Sequence, residues 1–338
     1  NKKNIAFLEC IFGTVPLCRM AKQIGEQNAV IAYRSCLQSI SDIENVLKET
    51  GIGADFEWMP SIFYASDEKG VKLIEHEYEI RKRHGLPTEL LNKEELHKRY
   101  KLETYAGALL NHQSAQIDAY KAATKLFRFH LQKDDLRIFT HTEIISCEET
   151  SQGCRLETRE GLVIQCKYVI IAAGFEAGQF LPKKVMKLTS TYALISHPVD
   201  HKDLWTKRCL IWETGEPYIY VRTCNNRIII GGEDEEFCDP EARDELLRKK
   251  TEILEKKFHN LLPTVPFETE MAWCGTFSTT KDGLPFIGTW PGMQHIFFDL
   301  GYGGNGITFS MIGAQIIRNT LQGIEDERSD IFGFQRIV

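Results

Sequence analysis

The sequence has no uninterrupted apolar stretch approaching the ~18 residues that a membrane-spanning helix needs. It also has no run of basic residues interleaved with aromatic residues. Its 41 Lys and Arg residues are outnumbered by 47 Asp and Glu residues, and the formal net charge is −6. We therefore expect neither nucleic acid nor an anionic membrane surface as a partner.

Metal-binding and disulfide signatures are absent as well. The ten cysteines form no C-x-x-C pair and no Cys/His cluster at zinc spacing, so we expect reduced, mostly buried thiols and no metal site. The basic N-terminus is followed by an apolar run that Glu9 interrupts, and no small-residue cleavage site follows. We expect a cytoplasmic protein. The first residue is Asn1 rather than methionine, which is typical of a processed or shortened polypeptide.

The 338 residues, 43% of them hydrophobic, are enough for about two domains. Apolar spacing predicts helices over residues 25–51, 67–84 and 92–100, a strand over 55–66, and a helix that Asp118 caps. Short strands follow, with a hairpin at Gly153. Residues 167–174 form a continuous apolar run ended by glycine, which is typical of a strand buried on both faces of a parallel sheet.

A second sheet is predicted further along the chain. Residues 189–198, 208–213, 217–222 and 227–232 are short β-rich runs at close spacing, which indicates antiparallel pairing, and one long charged helix is expected over 239–259. Two sheets of different character imply two interleaved domains in a mixed α+β or α/β fold.

Residues 301–306 form a glycine-rich turn between a strand at 295–300 and a helix at 307–321. The turn matches G-x-G-x-x-G, but a dinucleotide-binding fingerprint also needs a following strand and an acidic residue about 20 positions on, and residues 323–338 supply neither. The glycines and the helix N-terminus would suit a ligand with partial negative charge. A turn used only for tight strand-to-helix packing remains an alternative.

These segments together resemble the FAD-dependent D-amino-acid oxidase superfamily, in particular glycine oxidases and sarcosine oxidases. The matching stretches are residues 116–120, 167–174, 227–233, 273–288 and the turn from Gly301. The resemblance implies FAD as cofactor and a discontinuous FAD-binding domain, here residues 1–50, 105–185 and 273–338. It implies an antiparallel substrate-binding domain over residues 51–104 and 186–272.

The resemblance also implies positions for the cofactor. Ala6 and Phe7 would run beside the flavin, the backbone of Ile144 would meet the adenine, and Ala173 and Gly174 would pass close to the nucleotide. The glycine turn would lie at the pyrimidine edge of the flavin ring, where negative charge develops on reduction. The candidate cofactor contacts in the turn are Gly301, Gly303, Gly304, Asn305, Gly306 and Ile307, and all but Gly301 are candidate N–H donors.

Three departures from the family pattern affect the expected activity. The family's N-terminal strand, G-x-G-x-x-G turn and helix have no counterpart in these residues, so we expect weakened FAD affinity. Phe277 stands where glycine oxidases carry a carboxylate-binding arginine. Arg222, on the same strand as Tyr218 and Tyr220, is a candidate replacement, although an exposed strand arginine is the alternative. Ile229 stands where sarcosine oxidases place a lysine.

The resemblance implies oxidation of a small amine or amino acid by hydride transfer to FAD. The residues identify no general base, because His112 and His197 are as readily explained as ordinary surface or core histidines. A second hypothesis is a truncated, non-catalytic relative that does not bind FAD by itself. A nicotinamide-linked dehydrogenase ranks last, because no complete βαβ fingerprint is present. The sequence leaves the oligomeric state open.

Overall fold

The structure is a computed structural model that describes residues 15–337 and the backbone of residues 7–8. The predicted cofactor contact Ala6 lies outside the described residues. None of the described helices is both long enough and apolar enough to span a membrane.

The helices and strands alternate irregularly along the chain. In order, the described elements are β1 (Phe7–Leu8), α1 (Leu17–Ile24), α2 (Glu26–Thr50), β2 (Glu57–Tyr64), α3 (Glu68–Arg83), β3 (Glu89–Leu91), α4 (Lys93–Tyr100), β4 (Ala108–Gln116), α5 (Ala119–Gln132), β5 (Ile144–Thr150), β6 (Gly153–Thr158), β7 (Val163–Cys166), β8 (Val169–Ile171), β9 (Lys187–Ser196), β10 (Leu210–Glu213), β11 (Ile219–Cys224), β12 (Arg227–Glu235), α6 (Pro240–Glu245), α7 (Leu247–Leu261), β13 (Thr269–Thr279), β14 (Phe286–Thr289), β15 (Ile296–Leu300), α8 (Gly306–Leu321) and α9 (Arg328–Phe332).

The largest sheet has the strand order β1-β4-β2-β10-β11-β12-β9-β13, with β3 paired to β4. The pairs are antiparallel except for β10 with β2. Side chains alternate between two cores because successive residues of a strand point to opposite faces. Ile219 and Val221 of β11 join one core with α7, whereas Tyr220 packs against the other core, which includes α8. The predicted antiparallel sheet is confirmed.

Two three-stranded sheets accompany it, with the orders β14-β15-β8 and β5-β6-β7. β8 pairs in parallel with β15, as expected for a parallel-type sheet. The expectation that this strand is buried on both faces was wrong, because Ile170 is 50% exposed while Ile171 is buried. Among the described strands β8 is an edge strand, and no described element covers the face that carries Ile170.

Local signals at the helix ends were accurate. α2 begins after Gly25 and ends at Gly51, and Asp118 caps α5 by accepting a hydrogen bond from the amide of Lys121. The single long helix expected over 239–259 was wrong. The chain instead forms two helices, α6 and α7, which meet at Leu246. The mixed α+β fold class is confirmed, whereas the domain boundaries remain a prediction.

Candidate active site

The glycine turn follows the carboxyl end of β15, and a second exposed turn follows the carboxyl end of β8. Because the two strands are parallel, both turns lie at the same edge of their sheet. In open sheets of this type, ligands bind outside the carboxyl ends of the strands. Ala173 and Gly174 are exposed after β8, and Gly301 and Gly303 adopt positive φ angles of 81° and 55° after β15.

The start of α8 leaves backbone donors available. The side chain of Asn305 makes no capping hydrogen bond, and the first N–H groups of a helix have no partner within it. The amide of Gly303 donates to the carbonyl of Ser278 at 3.0 Å, and that of Asn305 donates to the carbonyl of Tyr302 at 3.2 Å. Of the five predicted donors, the amides of Gly304, Gly306 and Ile307 therefore remain without a protein acceptor among the described residues.

One face of the large sheet carries all four predicted substrate-side residues. Tyr218 precedes β11, and Tyr220 and Arg222 alternate with core residues of that strand. Residues paired directly across strands share a face. The surface extends across the four strands β11, β12, β9 and β13. Tyr220 pairs with Gly231, Arg222 with Ile229, and Phe277 with Thr189. We call it the roof face.

Tyr218 brings the roof face next to the glycine turn. A β-carbon placed on Gly304 would lie 3.8 Å from the hydroxyl oxygen of Tyr218 and, chain neighbours aside, within 4 Å of no other atom of the described residues. The rings of Tyr218 and Tyr220 lie side by side, with centroids 6.0 Å apart and planes inclined at 41°. Both tyrosines are partly exposed, as is Phe277, while Gly304 is exposed. The turn and the roof face therefore border an accessible space.

Asp234 also faces the two tyrosines, and the sequence analysis missed it. Burial raises the pKa of Asp234 to about 6, although the neighbouring Thr191 hydroxyl lowers it, and the carboxylate in turn raises the pKa of both tyrosines. Its Oδ1 is shielded and has no hydrogen-bond partner among the described residues. The only trace of Asp234 in the sequence is the acidic run 233–236 after two glycines, and such a run usually lies on a solvated surface.

Arg222 is buried, with 5% of its surface exposed, so the alternative of an exposed strand arginine was wrong. Its Nε has no hydrogen-bond partner, and burial lowers the pKa of its guanidinium. No carboxylate among the described residues forms an ion pair with it. At ~3.3 Å per residue, its Cα lies about 13 Å along the strand from that of Tyr218. Arg222 is therefore on the roof face but at a distance from the glycine turn.

The remaining candidates lie elsewhere. His112 and His197 are exposed and lie beside Glu89 and Glu270, so neither adjoins the glycine turn. The backbone of Phe7 pairs with β4, opposite Gln116. Ile144 begins β5 and is partly exposed; its predicted contact with adenine stays a prediction.

The residues present fit the flavin end of FAD. Gly304 is exposed, and no atom of the described residues lies close enough to require its lack of a side chain, so the described part of the chain leaves space in front of it for a flat ligand. The uncapped end of α8 supplies N–H groups and a positive dipole end for carbonyl oxygens or a developing anion. Gly304, Gly306 and Ile307 would hold the pyrimidine edge of the ring, with Tyr218 on the substrate side.

Comparisons with curated proteins find distant relatives. The chain is 24% identical over 292 residues to gamma-glutamylputrescine oxidoreductase of Escherichia coli, an alignment that covers 82% of this chain and 65% of the relative. It is 24% identical over 202 residues to glycine oxidase of Bacillus subtilis, covering 59% of this chain and 52% of the relative.

Solved structures share the fold. The crystal structure of glycine oxidase from Geobacillus kaustophilus superposes with a TM-score of 0.76 at 20% identity, covering 90% of this chain and 83% of that chain. L-proline dehydrogenase from P. horikoshii superposes with a TM-score of 0.71 at 18% identity, covering 89% and 82%. The sequence profile of the family described as DAO, FAD dependent oxidoreductase, matches residues 19–320. The chain belongs to this family of FAD-dependent oxidoreductases.

Proposed function

We propose that this protein oxidises a small amine or amino acid. The observation that carries the proposal is the position of Tyr218, whose hydroxyl lies beside Gly304 at the point where the roof face meets the glycine turn. A substrate between them would contact the roof face on one side and the cofactor held by the turn on the other. The names of the relatives, glycine oxidase and gamma-glutamylputrescine oxidoreductase, support this class of substrate.

FAD supplies the two-electron acceptor for the hydride that leaves the carbon next to nitrogen. The chain's own residues place the reactants and shape the electrostatics. Tyr218, Tyr220 and Phe277 offer aromatic surface that positions a small substrate and excludes water. With FAD bound, the N-terminus of α8 would supply N–H groups and a positive dipole end that stabilise negative charge at the edge of the ring.

The proposal is tested by purifying the chain, adding FAD, and following the flavin absorbance during anaerobic mixing with glycine, sarcosine, proline and 1,4-diaminobutane. Loss of the oxidised-flavin absorbance with one of these compounds supports the proposal. FAD binding without reduction by any amine contradicts it. Failure to bind FAD favours the alternative of a relative that keeps the substrate sheet without binding FAD by itself.

A further inference from the structure

The acidic run 233–236 divides between the two faces of the large sheet. Glu233 pairs with Lys250 and Lys257 of α7 at 3.4 and 2.7 Å, and Glu235 pairs with Lys250 at 2.7 Å. Asp234, which lies between them, forms no ion pair with any described residue. The reason is geometric: the register of β12 shifts between Gly232 and Glu235, and Glu233 has a positive φ of 56°. This bulge turns Asp234 away from α7.

The side chain of Asp234 consequently lies on the roof face. Its carboxylate is the largest charged influence on the phenols of Tyr218 and Tyr220, and the hydroxyl of Thr191 adjoins it. Asp234, Thr191 and both tyrosines are partly exposed, and the hydroxyl of Tyr218 lies beside Gly304. Arg222 lies farther along β11 from Tyr218.

A carboxylate that forms no ion pair with the described residues and lies beside two aromatic rings is suited to a cation, although Lys250 acts on it from a longer distance. The carboxylate attracts a protonated nitrogen and accepts its hydrogen bonds, and the tyrosine rings add cation–π attraction. An unpaired charge in a shielded position is costly, and a bound ammonium group offsets this cost. An anionic substrate group at the same place would be repelled.

We propose that Asp234 binds a positively charged nitrogen of the substrate against the rings of Tyr218 and Tyr220. Given the proposed function, this nitrogen differs from the one that is oxidised. The oxidised amine must be neutral to release a hydride, whereas a carboxylate stabilises the protonated form of the nitrogen it contacts. The substrate is therefore an amine with a second, protonated amino group.

Isothermal titration calorimetry tests the proposal with two probes of similar length, 1,4-diaminobutane, which is protonated, and uncharged 1,4-butanediol, on the chain with and without added FAD. We expect the diamine to bind roughly tenfold more tightly or better. Asp234→Asn should remove most of this preference while changing the affinity for the uncharged diol less than about threefold, and Asp234→Glu should retain part of it. Glu236→Gln, which removes the same charge from an exposed neighbour, is the matched control and should bind both probes like the parent.

The proposal is overturned if the parent binds the diamine and the diol equally or binds neither, or if Asp234→Asn still prefers the diamine. An equal loss of affinity for both probes in Asp234→Asn would also overturn the proposal, because such a loss would indicate a structural role. Thermal melts of each variant accompany the titrations. Flavin reduction separates this proposal from the proposed function. Asp234-dependent diamine binding without flavin reduction would refute oxidation and keep the cation site, whereas reduction that is indifferent to Asp234 would refute the cation site alone.

Discussion

The carboxyl group of Asp299, at the end of β15, lies directly against the backbone of Gly313 in α8. A β-carbon on Gly313 would fall 2.2 Å from Oδ2 of Asp299 and 2.5 Å from its Cγ. This contact fixes how closely α8 approaches the sheet, and therefore where the helix presents its N-terminus.

We expect Gly313→Ala to lower the free energy of unfolding by about 1–3 kcal/mol, because the added methyl group forces the buried carboxyl group or the helix to move. Urea denaturation measures the change. The double variant Asp299→Ala with Gly313→Ala should recover part of the loss, since the clashing group is gone. If the loss of stability in the double variant equals the sum of the losses in Gly313→Ala and in Asp299→Ala alone, the contact does not determine the packing.

Asp299 should also make stability depend on pH. Burial raises the pKa of Asp299 to about 7, well above the ~3.9 of an unfolded aspartate. Between these values the folded chain holds a proton that the unfolded chain has released, so the free energy of unfolding falls as the pH rises from about 4 to about 7.

Asp299→Asn removes the contribution of this carboxyl group to the pH dependence. The free energy of unfolding of this variant minus that of the parent should therefore increase by up to ~1.4 kcal/mol for each unit by which the pH rises over that interval. Denaturation series at several pH values measure the difference, with Asp330→Asn at an exposed position as the control. A constant difference between Asp299→Asn and the parent across the range would contradict the argument.

Glu77 and Arg81 form a buried ion pair in α3, with exposed fractions of 0% and 2%. Glu77 also accepts hydrogen bonds from the amides of Leu17 and Cys18 at 3.0 and 2.8 Å, so it caps α1 from a neighbouring helix. Glu77→Gln should cost roughly 3–5 kcal/mol, because a donor would face a backbone N–H and the arginine would lose its counter-ion. Urea denaturation measures this, and Glu79→Gln on the exposed face of α3 should change little.

Features set by a few consecutive residues could be predicted from the sequence. The glycines at 25 and 51 bound α2, and Asn92 and Asp118 cap α4 and α5, because a cap depends only on its own turn. The glycine turn was found for the same reason, since strand, glycines and helix follow one another directly.

Features that depend on distant neighbours could not be predicted. The exposure of Ile170 depends on which strands flank β8, and the burial of Arg222 depends on elements packed over the roof face. The direction of Asp234 depends on a bulge in which a glutamate, rather than a glycine, adopts positive φ. No local pattern indicates such a bulge.

Two buried arginines provide a test of how unpaired charge affects this fold. Arg222 has no ion-pair partner among the described residues, whereas Arg81 pairs with Glu77. Arg222→Met should leave the free energy of unfolding unchanged or raise it by about 1–3 kcal/mol, while Arg81→Met should lower it by about 3–5 kcal/mol. Urea denaturation of the two variants distinguishes them. Equal losses would mean that Arg222 has a stabilising anionic partner in the folded protein.

Gly304→Leu tests the position of the cofactor. The substitution places a bulky side chain in the exposed space between the turn and Tyr218, where the tyrosine hydroxyl is the only atom of the described residues, chain neighbours aside, within 4 Å of the first added carbon. The fold should therefore tolerate it, with a change in stability within ~0.5 kcal/mol. FAD binding, followed by flavin fluorescence, should weaken by at least roughly tenfold, because the leucine fills the space that the ring needs. Gly53→Leu adds the same bulk at an exposed loop near α5 and should bind FAD like the parent. Unchanged FAD affinity in Gly304→Leu would show that the flavin does not approach this turn.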